Sequence, residues 1–197
     1  FPYTTLFRSI TQIVEHPALD GARNGFLKAL EDAGYKDGEN LKIEYQNAQG
    51  DQAVAQSIAE SFVSDSKDLI LAIATPTAQA AYNATKEIPV LITAVTDPIQ
   101  AGLAKSLEKS ETNVTGTSDA TPIDKQFALI RELLPESKKV GIVYNTSELN
   151  SEVQVAQAKV IAQKYGLELV IKGVTSVNDL AQVLDNLLKQ VDVLYTP

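Results

Sequence analysis

The sequence predicts an α/β fold made of two Rossmann-like lobes, each built on a parallel β-sheet. Three observations carry this reading. Short apolar runs alternate with helix-period stretches along nearly the whole chain, the pattern of βαβ units whose sheet is covered on both faces. The polar stretch SLEKSETNVTGTSDATP interrupts that alternation once, between one block of strand and helix signals and the next. The residues that close the apolar runs are short hydrogen-bonding types rather than the Lys and Glu of solvated loops.

The strand candidates, in order, are ITQIV, LKIEY, LILAIA, VLITA, NVTGT, VGIVYN, LELVIKGV and VDVLYT. Between them a 3.6-residue period marks helices at Ala18–Ala33, Asp51–Ser64, Thr77–Thr85, Ile123–Leu134, Glu152–Tyr165 and Val177–Lys189. Gly34 and Gly166 follow two of these helices, where a left-handed residue ends the last turn. Asp51 and Asp179 stand near helix starts, as caps or first-turn acids do. Residues 10–117 are expected to form the N-terminal lobe and residues 118–197 an incomplete C-terminal lobe.

Phe1–Ser9 breaks the pattern: FPYTTLFRS has neither helical nor strand period, and one back-translation of it matches the tail of a sequencing-library adapter. It is read as an artefactual or disordered leader outside the fold, to be left out of fold reasoning. The chain contains no Met and stops straight after a strand-like run, so both ends are expected to be cut.

Composition narrows the function classes. The absence of Cys removes disulfides, thiolate metal sites and Cys nucleophiles. Net charge is −8 with a pI near 4.7, and the lysines are scattered among acids. Nucleic-acid binding, which needs clustered Lys and Arg to neutralise phosphates, is not expected. His16 is the sole histidine, no GxSxG elbow, P-loop or GxGxxG is present, and no enzymatic activity, cofactor or metal is predicted.

Right-handed crossovers place the C-terminal ends of parallel strands on one edge, where α/β proteins bind ligands. In this sequence that edge gathers Gln12 and His16, the ATPTAQ segment with Thr75, Thr77 and Gln79, the TDP segment with Thr96 and Asp97, then Ser118, Asp119, Tyr144 and Asn145. ATPTAQAA follows a strand, and Pro76 suits a first helical turn. Thr75 and Thr77 then offer hydroxyls beside free backbone N–H groups, a cradle for a carboxylate. Asp97 is placed to accept from an ammonium. The plain alternatives are Thr75 as a helix cap and Asp97 as an Asx-turn residue before Pro98. Three or four charged hydrogen bonds at roughly 1.5–3 kcal/mol each bring such a zwitterion site to about −8 kcal/mol after ordering costs, near micromolar affinity.

Six blocks, TQIVEHPALDGARNGFLKALEDAGY, IEYQNAQGD, LILAIATPTAQAA, TAVTDPIQAGL, NVTGTSD and VGIVYNTSELNS, occur in an order that closely resembles a known family. It is the ABC-transporter substrate-binding family that includes the tryptophan-binding lipoproteins of Gram-positive bacteria. The resemblance implies a type I periplasmic-binding-protein fold with three hinge crossings, closing on a ligand held between two lobes. It also implies an extracytoplasmic monomer, lipid-anchored or periplasmic, that hands an amino acid to the permease subunits of an importer. Carried over residue by residue, Gln12, Thr75, Thr77 and Asp97 come from the first lobe, and Asp119 and Asn145 from the hinge and second lobe. Tyr144 or His16 would stack on an aromatic ligand such as tryptophan. The effector-sensing domain of a LacI-like regulator shares this fold and is the competing reading.

Overall fold

In the computed structural model, which describes residues 6–197, strand β1 (Leu6–Gln12) pairs in parallel with β2 (Leu41–Asn47) on one side and β3 (Leu69–Ile73) on the other. With β4 (Val90–Val95) and β5 (Val114–Ser118) they form an all-parallel sheet of order β2-β1-β3-β4-β5. The connecting helices are α1 (Pro17–Asp32), α2 (Gln52–Ser64) and α3 (Thr75–Ala84). One face of the sheet packs Ile70, Ala72, Val90 and Ile92 against Ala55, Ile58, Ala59 and Phe62 of α2 and Ala78 and Ala81 of α3. The opposite face sets Ile10, Leu71 and Ile73 against Leu19, Phe26 and Leu27 of α1. Burial on both faces explains why these strands read as apolar runs rather than as alternating patterns.

The leader is corrected in part. Leu6 to Ser9, assigned by sequence to a segment outside the fold, are ladder residues of β1 paired with Leu41 to Glu44. Ser9 is fully buried, and its hydroxyl donates to the Leu69 carbonyl at 3.2 Å. Asp68 accepts the Phe7 N–H at 2.7 Å. A central strand is held by backbone bonds on both sides, so it forms here without the side-chain period that sequence reading looks for. The remainder of the leader, residues 1–5, lies outside the described residues.

The second unit holds α4 (Ile123–Leu133), β6 (Lys139–Asn145), α5 (Leu149–Lys164), β7 (Glu168–Val174), α6 (Val177–Leu188) and β8 (Val193–Tyr195), with the parallel order β7-β6-β8. Its core joins Ile123 and Phe127 of α4, Val155, Ala158 and Ala162 of α5, and Val140, Ile142 and Tyr195 of the sheet. The rings of Phe127 and Tyr195 lie 5.3 Å apart at 59°, a tilted pairing favoured by their quadrupoles. Arg131 secures the rim of this unit: its guanidinium donates to the carbonyls of Tyr165, Gly166, Pro135 and Ser137 at 2.7–3.2 Å. The chain divides at Ala120/Thr121. Ser118 and Asp119, placed by sequence in the second lobe, therefore belong to the first unit, because Ser118 pairs with Val95 and the Asp119 N–H bonds the Val95 carbonyl.

Helix punctuation follows local chemistry. Asp51 caps α2 by accepting from the N–H groups of Ala53 and Val54 at 2.7 and 3.1 Å. Helices α1 and α5 both end in Schellman turns, with Tyr35 N–H bonded to Leu30 and Leu167 N–H bonded to Ala162.

Candidate functional site

In the first unit the parallel register brings Asn47, Gln12, Ile73 and Thr93 into one row across β2, β1, β3 and β4. The loops that follow these residues form a single edge. Three backbone features stand out on it. Ala74, the N-cap of α3, has φ 83° and ψ 158°, a region that L-residues with a Cβ avoid at a cost of order 1–3 kcal/mol. Ala94 at the end of β4 has φ 54°, where the β4–β5 register shifts between Ile92 and Val95. Gly116 opposite that shift is obligatory, since a Cβ there would sit 2.0 Å from the Ile92 carbonyl oxygen.

Helix α3 starts on this edge, directly after Ala74. No side chain caps this helix, although Thr75, Pro76, Thr77 and Ala78 are all buried. Pro76 has no N–H, so the donors left over by the helix are the N–H groups of Thr75 and Thr77. The two threonines differ. Thr77 is fully buried and its hydroxyl donates back to the carbonyls of Ile73 and Ala74 at 2.7 and 3.0 Å, strapping the strand-to-helix turn. Thr75, only 3% exposed, makes no side-chain hydrogen bond to any of the described residues. Its hydroxyl, two N–H groups and the positive end of a helix dipole together suit an anionic group. Thr75 is the first helical residue, and the N-cap position belongs to Ala74.

The other predicted residues divide by what holds them. Gln12 is fully buried and committed: its amide donates to Val14 O and to Asp20 Oδ1, both at 2.8 Å, and its carbonyl accepts from Arg23 at 3.3 Å. His16 is exposed and caps α1, its Nδ1 accepting the Ala18 N–H at 3.2 Å. Gln79 reaches from α3 to the Ala101 carbonyl at 3.2 Å. Asp97 forms the Asx turn: Oδ1 accepts from Ile99 and Gln100 N–H at 3.0 and 2.9 Å, and Oδ2 from the Gln100 side chain at 2.9 Å. The Thr96 carbonyl accepts from the Ser118 hydroxyl at 3.0 Å, tying β4 to β5. Asp119 is exposed beside it.

Tyr144 and Asn145 lie at the C-terminal end of β6, in the second unit. Tyr144 donates to Glu152 at 3.1 Å, and burial together with that carboxylate pushes its phenol above the usual tyrosine value. Asn145 closes its own loop, donating to Glu148 at 2.9 Å and accepting from Ser147. The structure therefore gathers Gln12, Thr75, Thr77, Gln79, Thr96, Asp97, Ser118 and Asp119 on the first unit's edge, and Tyr144 and Asn145 on the second unit's.

At the corner beside β2, Glu15, Asn47 and Gln49 stand just after strand runs and are read from sequence with the other strand-end residues, whereas Arg23 and Tyr45 were missed. There a cavity of about 470 Å³ is lined by Val14, Glu15, Arg23, Tyr45, Asn47 and Gln49. Arg23 lies in mid-helix and Tyr45 in mid-strand, so neither was in a loop to be noticed. Their one signal is an Arg and a Tyr on facing elements. Among the described residues no group of three or more His, Cys, Asp or Glu side chains is arranged to hold a metal, and no helix is long and apolar enough to cross a membrane.

The chain is similar to known proteins in sequence and in fold. A family profile described as "ABC transporter substrate binding protein" matches residues 9–197. A protein named tyrosine-binding protein from Clostridioides difficile is 57% identical over 188 residues, covering 95% of this chain and 54% of its own length. A conserved domain protein from Vibrio cholerae, solved by crystallography, superposes with a TM-score of 0.95 at 43% identity, covering 98% of this chain and 65% of that one. An ABC domain from Streptococcus pneumonia in complex with L-Trp gives a TM-score of 0.94 at 39% identity, with the same coverage of 98% and 65%. The chain spans about half the length of the curated relative, 54%. Two parallel α/β units in this order make the type I periplasmic-binding fold, shared with distant leucine-binding and periplasmic-binding proteins. By its profile match across nearly all of its length, by its fold and by these relatives, the chain belongs to the ABC transporter substrate-binding protein family.

Proposed function

We propose that this protein captures an amino acid with an aromatic side chain outside the cytoplasm and delivers it to the permease subunits of an ABC importer. The observation that carries the reading is the start of α3: a buried helix N-terminus with no side-chain cap behind a strained Ala74, the Thr75 hydroxyl having no hydrogen-bond partner among the described residues. Strain of this kind persists where the surrounding structure holds it, and it clusters at ligand sites. A carboxylate meets two N–H donors and a hydroxyl there at little reorganisation cost. The aromatic class is supported by the tyrosine-binding relative and by the L-Trp complex of the solved neighbour. Asp119, exposed on the same edge and without a side-chain partner among the described residues, is a better candidate for the ligand's ammonium than Asp97, whose oxygens already serve its own turn.

Calorimetric titration of the protein with each of the twenty amino acids tests this. The expected result is saturable heat with tyrosine or tryptophan in the micromolar range or tighter, and none with tyramine or tryptamine, which keep the ring and the amine but lack the α-carboxylate. Absence of binding to every amino acid would refute the proposal.

A further inference from the structure

We infer that the cavity between the β1–α1 loop and β2 receives the ligand's side chain and selects a ring with a polar tip, a phenol or an indole. The inference rests on the proposed amino-acid function, and its test separates the two.

Position comes first. Asn47 is opposite Gln12, and Gln12 opposite Ile73, the residue before Ala74 and the start of α3. The cavity and the carboxylate cradle are thus two strand spacings apart on one edge, about 10 Å. An aromatic amino acid bridges such a gap, whereas an alanine-sized one does not. At about 470 Å³ the cavity has room for a bicyclic ring.

The walls indicate a ring. Tyr45 is 40% exposed, and the Arg23 guanidinium lies 4.3 Å from its ring centroid. Arg23 is itself fixed by Gln12 Oε1 at 3.3 Å and by Asp20 at 3.4 Å. The phenol is steadied in turn by Asn47, whose amide donates to Tyr45 Oη at 3.2 Å while its carbonyl takes the Gln49 N–H at 2.7 Å. Tyr45 is therefore an aromatic surface held in place before any ligand arrives, which keeps the ordering cost of stacking low. Buried Gln12 gains a role from this: it positions Arg23 rather than touching the ligand.

The polar lining indicates the tip. The Glu15 carboxylate and the Gln49 side-chain amide have no hydrogen-bond partner among the described residues, and both line this cavity. An acceptor and an amide suit a phenolic O–H or an indole N–H. A plain phenyl or an aliphatic chain desolvates them with nothing in return, and sites of this kind reject ligands lacking the polar group.

The experiment measures affinities for L-tyrosine, L-tryptophan, L-phenylalanine and L-leucine by calorimetry on three forms: the wild type, Tyr45→Leu, and the double variant Glu15→Ala/Gln49→Ala. Wild type is expected to prefer tyrosine or tryptophan over phenylalanine by at least tenfold. Tyr45→Leu should cut the preference for aromatics over leucine at least tenfold, and the double variant should bring the tyrosine-to-phenylalanine ratio to threefold or less. Urea unfolding verifies that each variant is native, and should Tyr45→Leu fail to fold, the double variant decides. Wild-type binding of aromatic amino acids with either ratio unchanged in its variant overturns the pocket assignment and leaves the amino-acid function standing. Failure of wild type to bind any amino acid overturns the function itself, and the pocket with it.

Discussion

Two threonines with only Pro76 between them give a sharp test of the α3 cradle. Replacing Thr75 by Val keeps the volume and β-branching and removes one hydroxyl. That hydroxyl contacts no protein acceptor among the described residues, so unfolding free energy in urea should stay within about 0.5 kcal/mol of wild type. If it binds the ligand carboxylate, one charge-assisted hydrogen bond disappears, worth about 1.5–3 kcal/mol and so about 10- to 150-fold in affinity. Thr77→Val is the mirror experiment. Its hydroxyl is fully buried and donates to Ile73 and Ala74 carbonyls, so its loss strands those carbonyls and should cost about 1–3 kcal/mol of stability. Calorimetry with tyrosine and tryptophan reads the first variant, and urea unfolding followed by circular dichroism reads both. Thr75→Val binding within threefold of wild type would refute the cradle. A large stability loss in Thr75→Val would show instead that the hydroxyl belongs to the fold.

Asp97→Ala should lose about 1 kcal/mol in urea unfolding, as cap substitutions do, while Asp97→Asn, which keeps the Oδ1 acceptor used by Ile99 and Gln100, should not. A tenfold loss of amino-acid affinity in a stable Asp97→Asn would return the ammonium to this residue. Arg131→Lys should destabilise the second unit by about 1–3 kcal/mol in the same assay, because an ammonium cannot reach the carbonyls of Tyr165, Gly166, Pro135 and Ser137 that one guanidinium spans. The Glu44–Lys67 pair gives a pH signature. The hydrogen bond from Lys67 holds the Glu44 carboxyl below its ordinary value of 4.5. Its stabilisation is therefore present above that pH and lost as pH falls through the lowered folded value. Urea midpoints of wild type and Glu44→Gln, measured from pH 7 down to acid, should converge below pH 4.5, and a constant gap would refute the linkage.

The order of elements was legible because it depends on neighbours a few residues away. Helix period, the Asp51 cap and the glycines that end α1 and α5 are local facts, and the structure keeps them. β1 was misjudged at its start for the converse reason: what holds Leu6 to Ser9 is pairing with Leu41 to Glu44 and Leu69 to Ile70, which no local period announces.

The sequence alone determined that short polar residues would cluster at the ends of parallel strands, since strand, turn and helix signals share one chain order and crossovers have one hand. Only tertiary structure decided which of those residues are free. Gln12, Asp97 and Asn145 look like ligand groups in sequence, yet each finds partners once the chain packs. Thr75, of the same type as Thr77, makes no side-chain hydrogen bond among the described residues, whereas the Thr77 hydroxyl is spent on the Ile73 and Ala74 carbonyls. A hydrogen bond is a matter of angstroms between groups brought together by folding, and the availability of a donor is fixed by that packing rather than by residue type.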